Sequence, residues 1–391
     1  MRRPAPLHLV LSICLGLASA CDPSDGTGDR VGSAPPALSL VAEGARIDGR
    51  AENLVPVTAA ALGPGGVLAL EQRQERRIRL FDAEGRALGV LGGAGSGPGE
   101  LQVLTGIGWR GDSVWAWDVR QRRVNLYDPA RPDAPATVTI PPPLTIPSRS
   151  GGGNTEHRGL VTIRAALDDG GLIGRVFERM ETGGVTTRYL RIDRSGQVER
   201  VIAEYAEPPT DVMIRSPSSA VAVGLPFVAK PLSAPSPDGA RLVVVTPHVQ
   251  GPQAETFHVL AVSAEGDTLF SRSYPFEGVP IPPSVADSII GERVASARRL
   301  DPALAAEYQK VVQVPPFFPP FVDILVDRDD VLWLRTVDRS YLAFDADGHP
   351  LGRLARPRGT ILAAGGGSVW LLEHDDYDVP SLVRYRLESP G

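Results

Sequence analysis

The feature that most restricts how this chain can fold is an internal repeat, in which short β-prone runs alternate with turns that end in glycine. The clearest copy occupies residues 59–91. Ala59-Ala60-Ala61-Leu62 enters the turn Gly63-Pro64-Gly65-Gly66, and Val67-Leu68-Ala69-Leu70 leaves it. Arg77-Ile78-Arg79-Leu80-Phe81-Asp82 follows, and beyond Glu84-Gly85 comes Ala87-Leu88-Gly89-Val90-Leu91. Residues 107–128 repeat this order through Gly111-Asp112 to Arg123-Val124-Asn125-Leu126-Tyr127-Asp128. Residues 322–354 repeat it again through Asp329-Asp330 and Asp347-Gly348. Looser copies fall at 169–196 and 236–266, and a last one at 361–387 lacks its fourth strand.

A unit of this size cannot bury both of its faces alone, so the copies must stack against one another. Six copies imply an all-β fold, a six-bladed β-propeller, over residues 37–391. The run Leu38-Ser39-Leu40-Val41-Ala42 supplies the strand that the sixth copy lacks. Such closure removes the sheet edges that invite aggregation. The abundance of glycine (42) and proline (37) fits a chain that turns often. One stretch departs from the repeat. The apolar spacing and helix formers of 282–313 predict two short helices inserted between blades four and five, the second capped by Asp301 ahead of Pro302.

With these residues set out, the chain resembles the NHL-type six-bladed propellers common among bacterial lipoproteins. The resemblance rests on Gly92-Gly93-Ala94-Gly95-Ser96-Gly97-Pro98-Gly99-Glu100-Leu101, similar to that family's blade-joining motif. It rests also on the Asp-x-x-x-x-Arg-Val pattern from Asp118 to Val124.

The first twenty residues read as an export signal: Arg2 and Arg3, an apolar run from 7 to 17, then Ala18-Ser19-Ala20. Cys21 follows directly and resembles the acylated cysteine of the bacterial lipobox, which makes it the expected lipidation site. Ala18 stands where the lipobox favours Leu, so ordinary secretory cleavage is the alternative. Residues 21–36, rich in Gly, Ser, Pro and Asp, read as a flexible tether. The expected location is therefore the cell envelope, on the periplasmic side or at the outer membrane, with a lipid anchor in the membrane. Cys14 lies in the leader, so no disulfide can form within the mature chain. The formal charge is −6 at pH 7, and loss of Arg2 and Arg3 takes it to −8, which argues against nucleic acid as a partner.

Propellers bind at the mouth of the central channel, so the loops there are where ligand chemistry is expected. Arg73, Arg76 and Arg77, Arg120, Arg122 and Arg123, and Arg335 and Arg339 fall in loops between second and third strands. There they can form a cationic rim for a carboxylate or phosphate. The alternative is local pairing, of Arg77 and Arg123 with Glu71 and Asp118. In the matching loop of blade six, Glu373, Asp375, Asp376 and Asp378 are dense enough in oxygen for calcium, or are simply solvated. No other cofactor is expected. The six histidines show no metal-ligand spacing, and no nucleophile elbow or phosphate-binding Gly-Lys-Ser/Thr loop is present. The five tryptophans read as packing between blades. The expectation is a monomeric binding module for a protein partner or a small anionic ligand. The alternative is a propeller enzyme of lyase, lactonase or hydrolase type.

Overall fold

A computed structural model describes residues 35–54, 56–147, 154–180, 184–217, 220–250 and 253–388. Cys21, the 1–20 leader and nearly all of the 21–36 tether lie outside these residues. The described chain begins with strand β1 (Ala37–Asp48). Two four-stranded antiparallel sheets follow: β2 (Ala60–Leu62), β3 (Leu68–Gln72), β4 (Arg77–Phe81) and β5 (Ala87–Gly92), then β6 (Leu104–Arg110), β7 (Ser113–Asp118), β8 (Arg123–Asp128) and β9 (Arg131–Thr139). A hairpin, β10 (Leu144–Pro147) and β11 (Asn154–His157), precedes the sheet of β12 (Val161–Ala166), β13 (Leu172–Arg179), β14 (Val185–Ile192) and β15 (Val198–Glu207). A second hairpin, β16 (Asp211–Arg215) and β17 (Ala220–Gly224), precedes β18 (Leu232–Pro235), β19 (Arg241–Gln250), β20 (Gln253–Ser263) and β21 (Thr268–Pro275). Helices α1 (Pro283–Leu300) and α2 (Pro302–Val311) come next. The chain closes with β22 (Phe321–Val326), β23 (Leu332–Thr336), β24 (Tyr341–Phe344), β25 (Pro350–Leu354), β26 (Thr360–Gly365), β27 (Ser368–His374) and β28 (Pro380–Glu388).

The last seven strands and β1 form one eight-stranded sheet, in the order β22-β23-β24-β25-β1-β28-β27-β26. It is two four-stranded units joined through β1. Antiparallel pairing from Ser39 opposite Glu388 to Asp48 opposite Ser381 makes β1 the outer strand beside β28. Its first residues also pair in parallel with β25, Ala37 opposite Arg353 and Leu38 opposite Leu354. The fold is all-β with a propeller-like arrangement of sheets, and its helices are confined to one insertion.

Apolar residues alternate along these strands, and each cluster they build is shared by consecutive sheets. Ile78, Leu80, Trp109 and Val114 join the first two sheets, and Trp115, Val124, Ile163 and Leu190 join the second and third. Tyr189 and Leu242 fall in one cluster, Phe257 and Phe344 in another, and Trp333 and Val369 in a third. Ile47, Trp370 and Leu382 at the chain's end pack with Leu62, Leu68 and Phe81 of the first sheet. Trp115, Trp117, Trp333 and Trp370 are at most 2% exposed, which fits packing between sheets. Trp109 lies on a first strand, and its Nε1 donates to Ala61 O at 3.0 Å on the neighbouring sheet.

Four of the turns between third and fourth strands share one construction. In Asp82–Arg86, Asp193–Gln197 and Asp345–His349, the aspartate Oδ1 accepts the N–H groups two and four residues on, and a glycine three residues on takes positive φ. Ser263 Oγ takes the carboxylate's place in the fourth sheet. Burial opposes ionisation of Asp82, Asp193 and Asp345. The N–H groups, with Arg86, Ser195 and His349, outweigh it and hold all three below their ordinary value of 3.8. Because the folded values are depressed, this contribution is complete above about pH 4 and is lost as pH falls through them. The melting temperature should therefore drop as pH is lowered from 5 to about 2.5. Asp→Asn changes at all three turns should flatten that slope, and an unaltered slope would refute this account of the turns.

The glycine-rich segment after β5 is clamped by the sheet that follows it. Arg123 Nη2 donates to Gly97 O at 2.9 Å and Glu100 O at 2.8 Å, and Tyr127 Oη donates to Gly99 O at 2.8 Å. Asp118, fully buried, accepts the N–H groups of Gln102, Val103, Arg120 and Gln121. The two motifs that carry the sequence resemblance are thus halves of one crossover.

Candidate functional site

In an antiparallel meander, turns between strands one and two and between three and four lie at one end. Turns between two and three, and the crossovers to the next sheet, lie at the other. The first end is trimmed to tight turns. The second carries the glycine-rich crossover, the β10–β11 and β16–β17 hairpins and both helices.

The helices and the second hairpin form a small body with its own core: Ile214, Val294, Ala297, Leu304, Ala305, Tyr308 and Val312. Asp301 caps α2, with Oδ1 accepting Ala303 N at 2.9 Å, and Ser216 Oγ of the hairpin donates to its Oδ2. Beside this body, residues 225–229 and 313–318, with Pro208 and Pro320, line an apolar groove of 470 Å³. The repeat gave no sign of the hairpin, because Asp211–Gly224 lies in a crossover where the period lapses.

The candidate arginines lie at this same end, on separate turns, and no hydrogen bond or ion pair among the described residues joins one turn to another. Arg73 pairs with Glu71 at 3.0 Å, and Arg122 Nε donates to Ile140 O at 2.9 Å. Arg76, Arg120 and Arg339 are exposed, and Arg335 is half-buried. Arg76, Arg122 and Arg339 have positive φ, so their position is set by the turn. The expected pairs of Arg77 with Glu71 and of Arg123 with Asp118 are corrected. Arg77 pairs with Glu75 at 2.5 Å. Arg123 goes to the carbonyls of the glycine-rich segment, because backbone N–H groups already occupy Asp118.

In the acidic loop, Asp375 Oδ1 accepts Tyr377 N and Val379 N, and Glu373 accepts from Tyr385 Oη at 2.6 Å. Asp376 and Asp378 are exposed, Asp378 with φ of 60°. Among the described residues, no three His, Cys, Asp or Glu side chains are grouped so as to hold a metal ion.

A cavity of 170 Å³ runs between the first strands of the sheets, lined by residues of β2, β6, β12, β18, β22 and β26. Its lining is apolar apart from Ser236 and two ionisable groups, Arg164 and Asp327. Asp327 is already satisfied: Oδ1 accepts the N–H groups of Asp329 and Val331, and Oδ2 accepts Trp333 Nε1. Burial raises its pKa despite these bonds. At the tight-turn end the cavity meets a 400 Å³ hollow with Asp112, Asp168, Asp238 and Arg328 in its wall. Sequence reasoning missed Arg164, because an arginine inside an alternating strand reads as solvent-facing. The register slip between Ile163 and Ala165 that re-aims it is a property of the pairing.

No family model matches this sequence, and no curated protein matches it. Among solved structures it is similar to a protein of Bacteroides fragilis named as exported, at 10% identity over 90% of this chain and 95% of that one, with a TM-score of 0.46. A DUF4221 family member from Bacteroides vulgatus follows at 12% identity, 90% and 99% coverage and a TM-score of 0.44. The PQQ-bound aldose sugar dehydrogenase of Streptomyces coelicolor shares 18% identity over 91% and 100% of the chains, with a TM-score of 0.41. At these values the likenesses carry no functional argument. No helix of the described residues is long and apolar enough to cross a membrane.

Proposed function

We propose that this chain is an exported six-bladed β-propeller, anchored through Cys21, that acts as a binding module for a protein partner. Six blades follow if β26–β28 and β1 count as one blade and β22–β25 as another. The cluster joining Trp370 and Leu382 to Leu68 and Phe81 supports that count. The observation that carries the functional reading is the asymmetry of the two ends. Every insertion lies on a crossover at one end, which also carries an apolar groove and the exposed side chains of Arg76, Arg120 and Arg339, without an ion pair among the described residues. An end that offers both apolar surface and arginine suits a partner segment that carries both carboxylates and apolar side chains.

The test is capture from envelope extract by the mature chain. One comparison variant has short Gly-Ser links in place of both 211–224 and 283–311. Both must go together, because each covers the other's core. Another carries Arg76→Ala, Arg120→Ala and Arg339→Ala. A third is altered at Glu84 and Asp347, on the opposite end. We expect one envelope protein to be lost with the first variant, weakened about tenfold and made less salt-sensitive by the second, and unaffected by the third. Equal capture by a folded variant lacking the helical body would refute the reading. For the acidic loop the proposed ion is calcium, and equal melting temperatures in calcium and in EDTA would remove it.

A further inference from the structure

In and beside the central cavity lie hydrogen-bond donors that nothing among the described residues answers. Arg164 makes no hydrogen bond or ion pair among the described residues, and its Nε is buried without a partner. Arg175 on β13 is paired in register with Thr162 of β12 and Tyr189 of β14, and its Nε is likewise buried and unanswered. Its guanidinium lies over the Phe177 ring at 4.7 Å, and no carboxylate among the described residues pairs with it. Burial above all, and then the positive charge of Arg175, press Arg164 below the ordinary arginine value, while Tyr189 and Tyr205 act the other way. Glu207, the carboxylate that acts on Tyr205, accepts from Thr187 Oγ1 at 2.5 Å and pairs with neither arginine.

Two tyrosines of this sheet, on β14 and β15, meet one serine of the next, on β18. Tyr189 Oη and Tyr205 Oη lie 2.8 Å and 2.7 Å from Ser233 Oγ. Three hydroxyls carry three protons and share two hydrogen bonds, so one O–H remains free whichever way the chain is oriented. Trp115, 2% exposed, lines the cavity together with Arg164, and its Nε1–H has no acceptor among the described residues. It reaches the cavity where β6 has a glycine, since a Cβ at Gly108 would lie 2.5 Å from that nitrogen. Unanswered buried donors are rare, and the one carboxylate in the cavity wall, Asp327, is already taken by Trp333 and two backbone N–H groups.

We propose that the cavity beside β12 is a binding site for a small oxyanion, a carboxylate or phosphate, held by Arg164 with the Trp115 N–H as a further donor, while the charge of Arg175 on the adjoining strand adds to the positive potential there. Guanidinium meets either oxyanion through paired N–H groups. The volume of 170 Å³ restricts the ligand to a few heavy atoms. The apolar remainder of the wall, Ala61, Ile107 and Leu362 among it, suits the hydrocarbon part of an organic acid.

The experiment titrates the mature chain at low ionic strength with inorganic phosphate, succinate and benzoate, each against chloride. It follows heat of binding and tryptophan fluorescence, for wild type, Arg164→Met, Arg175→Met and Gly108→Ala. We expect at least one probe to bind, Arg164→Met to weaken it at least tenfold, and Arg175→Met to weaken it less. Gly108→Ala should weaken it less. Without ligand, the melting temperature of Arg164→Met should be unchanged or higher, because a half-buried charge that makes no pair among the described residues has been removed. An arginine that serves only structure would lower it. Binding of phosphate alone, or of a carboxylate alone, identifies the oxyanion. No binding by any probe, or unchanged binding in Arg164→Met, overturns the proposal.

Discussion

A chain beginning at residue 49 should fail to fold, whereas one beginning at residue 37 should melt with the full mature protein. The difference is strand β1. It pairs with β28 from Ser39 to Asp48, and its first two residues hold β25. Leu38 lies in the cluster of Trp333 and Leu354, and Ile47, 1% exposed, in that of Trp370 and Leu382. Burying those two side chains is worth about 1.5–3 kcal/mol each. The lost ladder leaves β28 as an open edge with its backbone groups unpaired, and together these losses approach the roughly 5–15 kcal/mol that stabilises a whole domain. Far-UV circular dichroism and size-exclusion chromatography read the outcome. A permuted chain that starts at residue 49 and carries 37–48 after residue 388, through a two-residue turn, should fold again. There β1 simply becomes the next strand of a hairpin, since Ser39 already faces Glu388. Cooperative melting of the chain lacking 37–48, near the full-length temperature, would contradict both the closure and the proposed blade count.

That closure was legible in the sequence because two independent deficits matched: a last repeat one strand short and an orphan β-prone run at the start. The turns were legible for a similar reason, since Gly85, Gly196, Gly266 and Gly348 mark positions where φ must be positive. Partnerships were not legible. Arg123 looked destined for Asp118, five residues away and opposite in the hairpin, yet its donors go to carbonyls more than twenty residues earlier. Sequence spacing reports which residues share a hairpin but not which backbone groups a neighbouring crossover leaves unsatisfied. The β16–β17 hairpin escaped because its apolar face is covered by helices some eighty residues later. Arg164 escaped because a bulge, which depends on pairing, decides where it points.

The same bookkeeping of backbone donors gives the second large effect, at Asp118. The side chain is fully buried at the end of β7, and its two oxygens accept four N–H groups: Gln102 at 2.5 Å, Val103 at 3.3 Å, Arg120 at 3.0 Å and Gln121 at 3.1 Å. Two belong to the crossover that enters β6 and two to the turn that leaves β7, so one carboxylate fixes both ends of the hairpin relative to the sheet before it. Asp118→Ala removes every acceptor at once. Each buried N–H left unanswered costs about 1–3 kcal/mol, and with some donors regaining water the net loss should be on the order of 4 kcal/mol. Asp118→Asn keeps one acceptor oxygen and turns the other into a donor facing N–H groups, so it should lie between alanine and wild type. Arg123→Met should cost less than alanine at 118, because it frees carbonyls at a partly exposed crossover and strands no buried N–H. Urea denaturation of the three variants measures this order. An Asp118→Ala midpoint equal to that of wild type would mean that the crossover is held by Arg123 and Tyr127 alone, and that the aspartate of the motif has some role other than holding the chain in place.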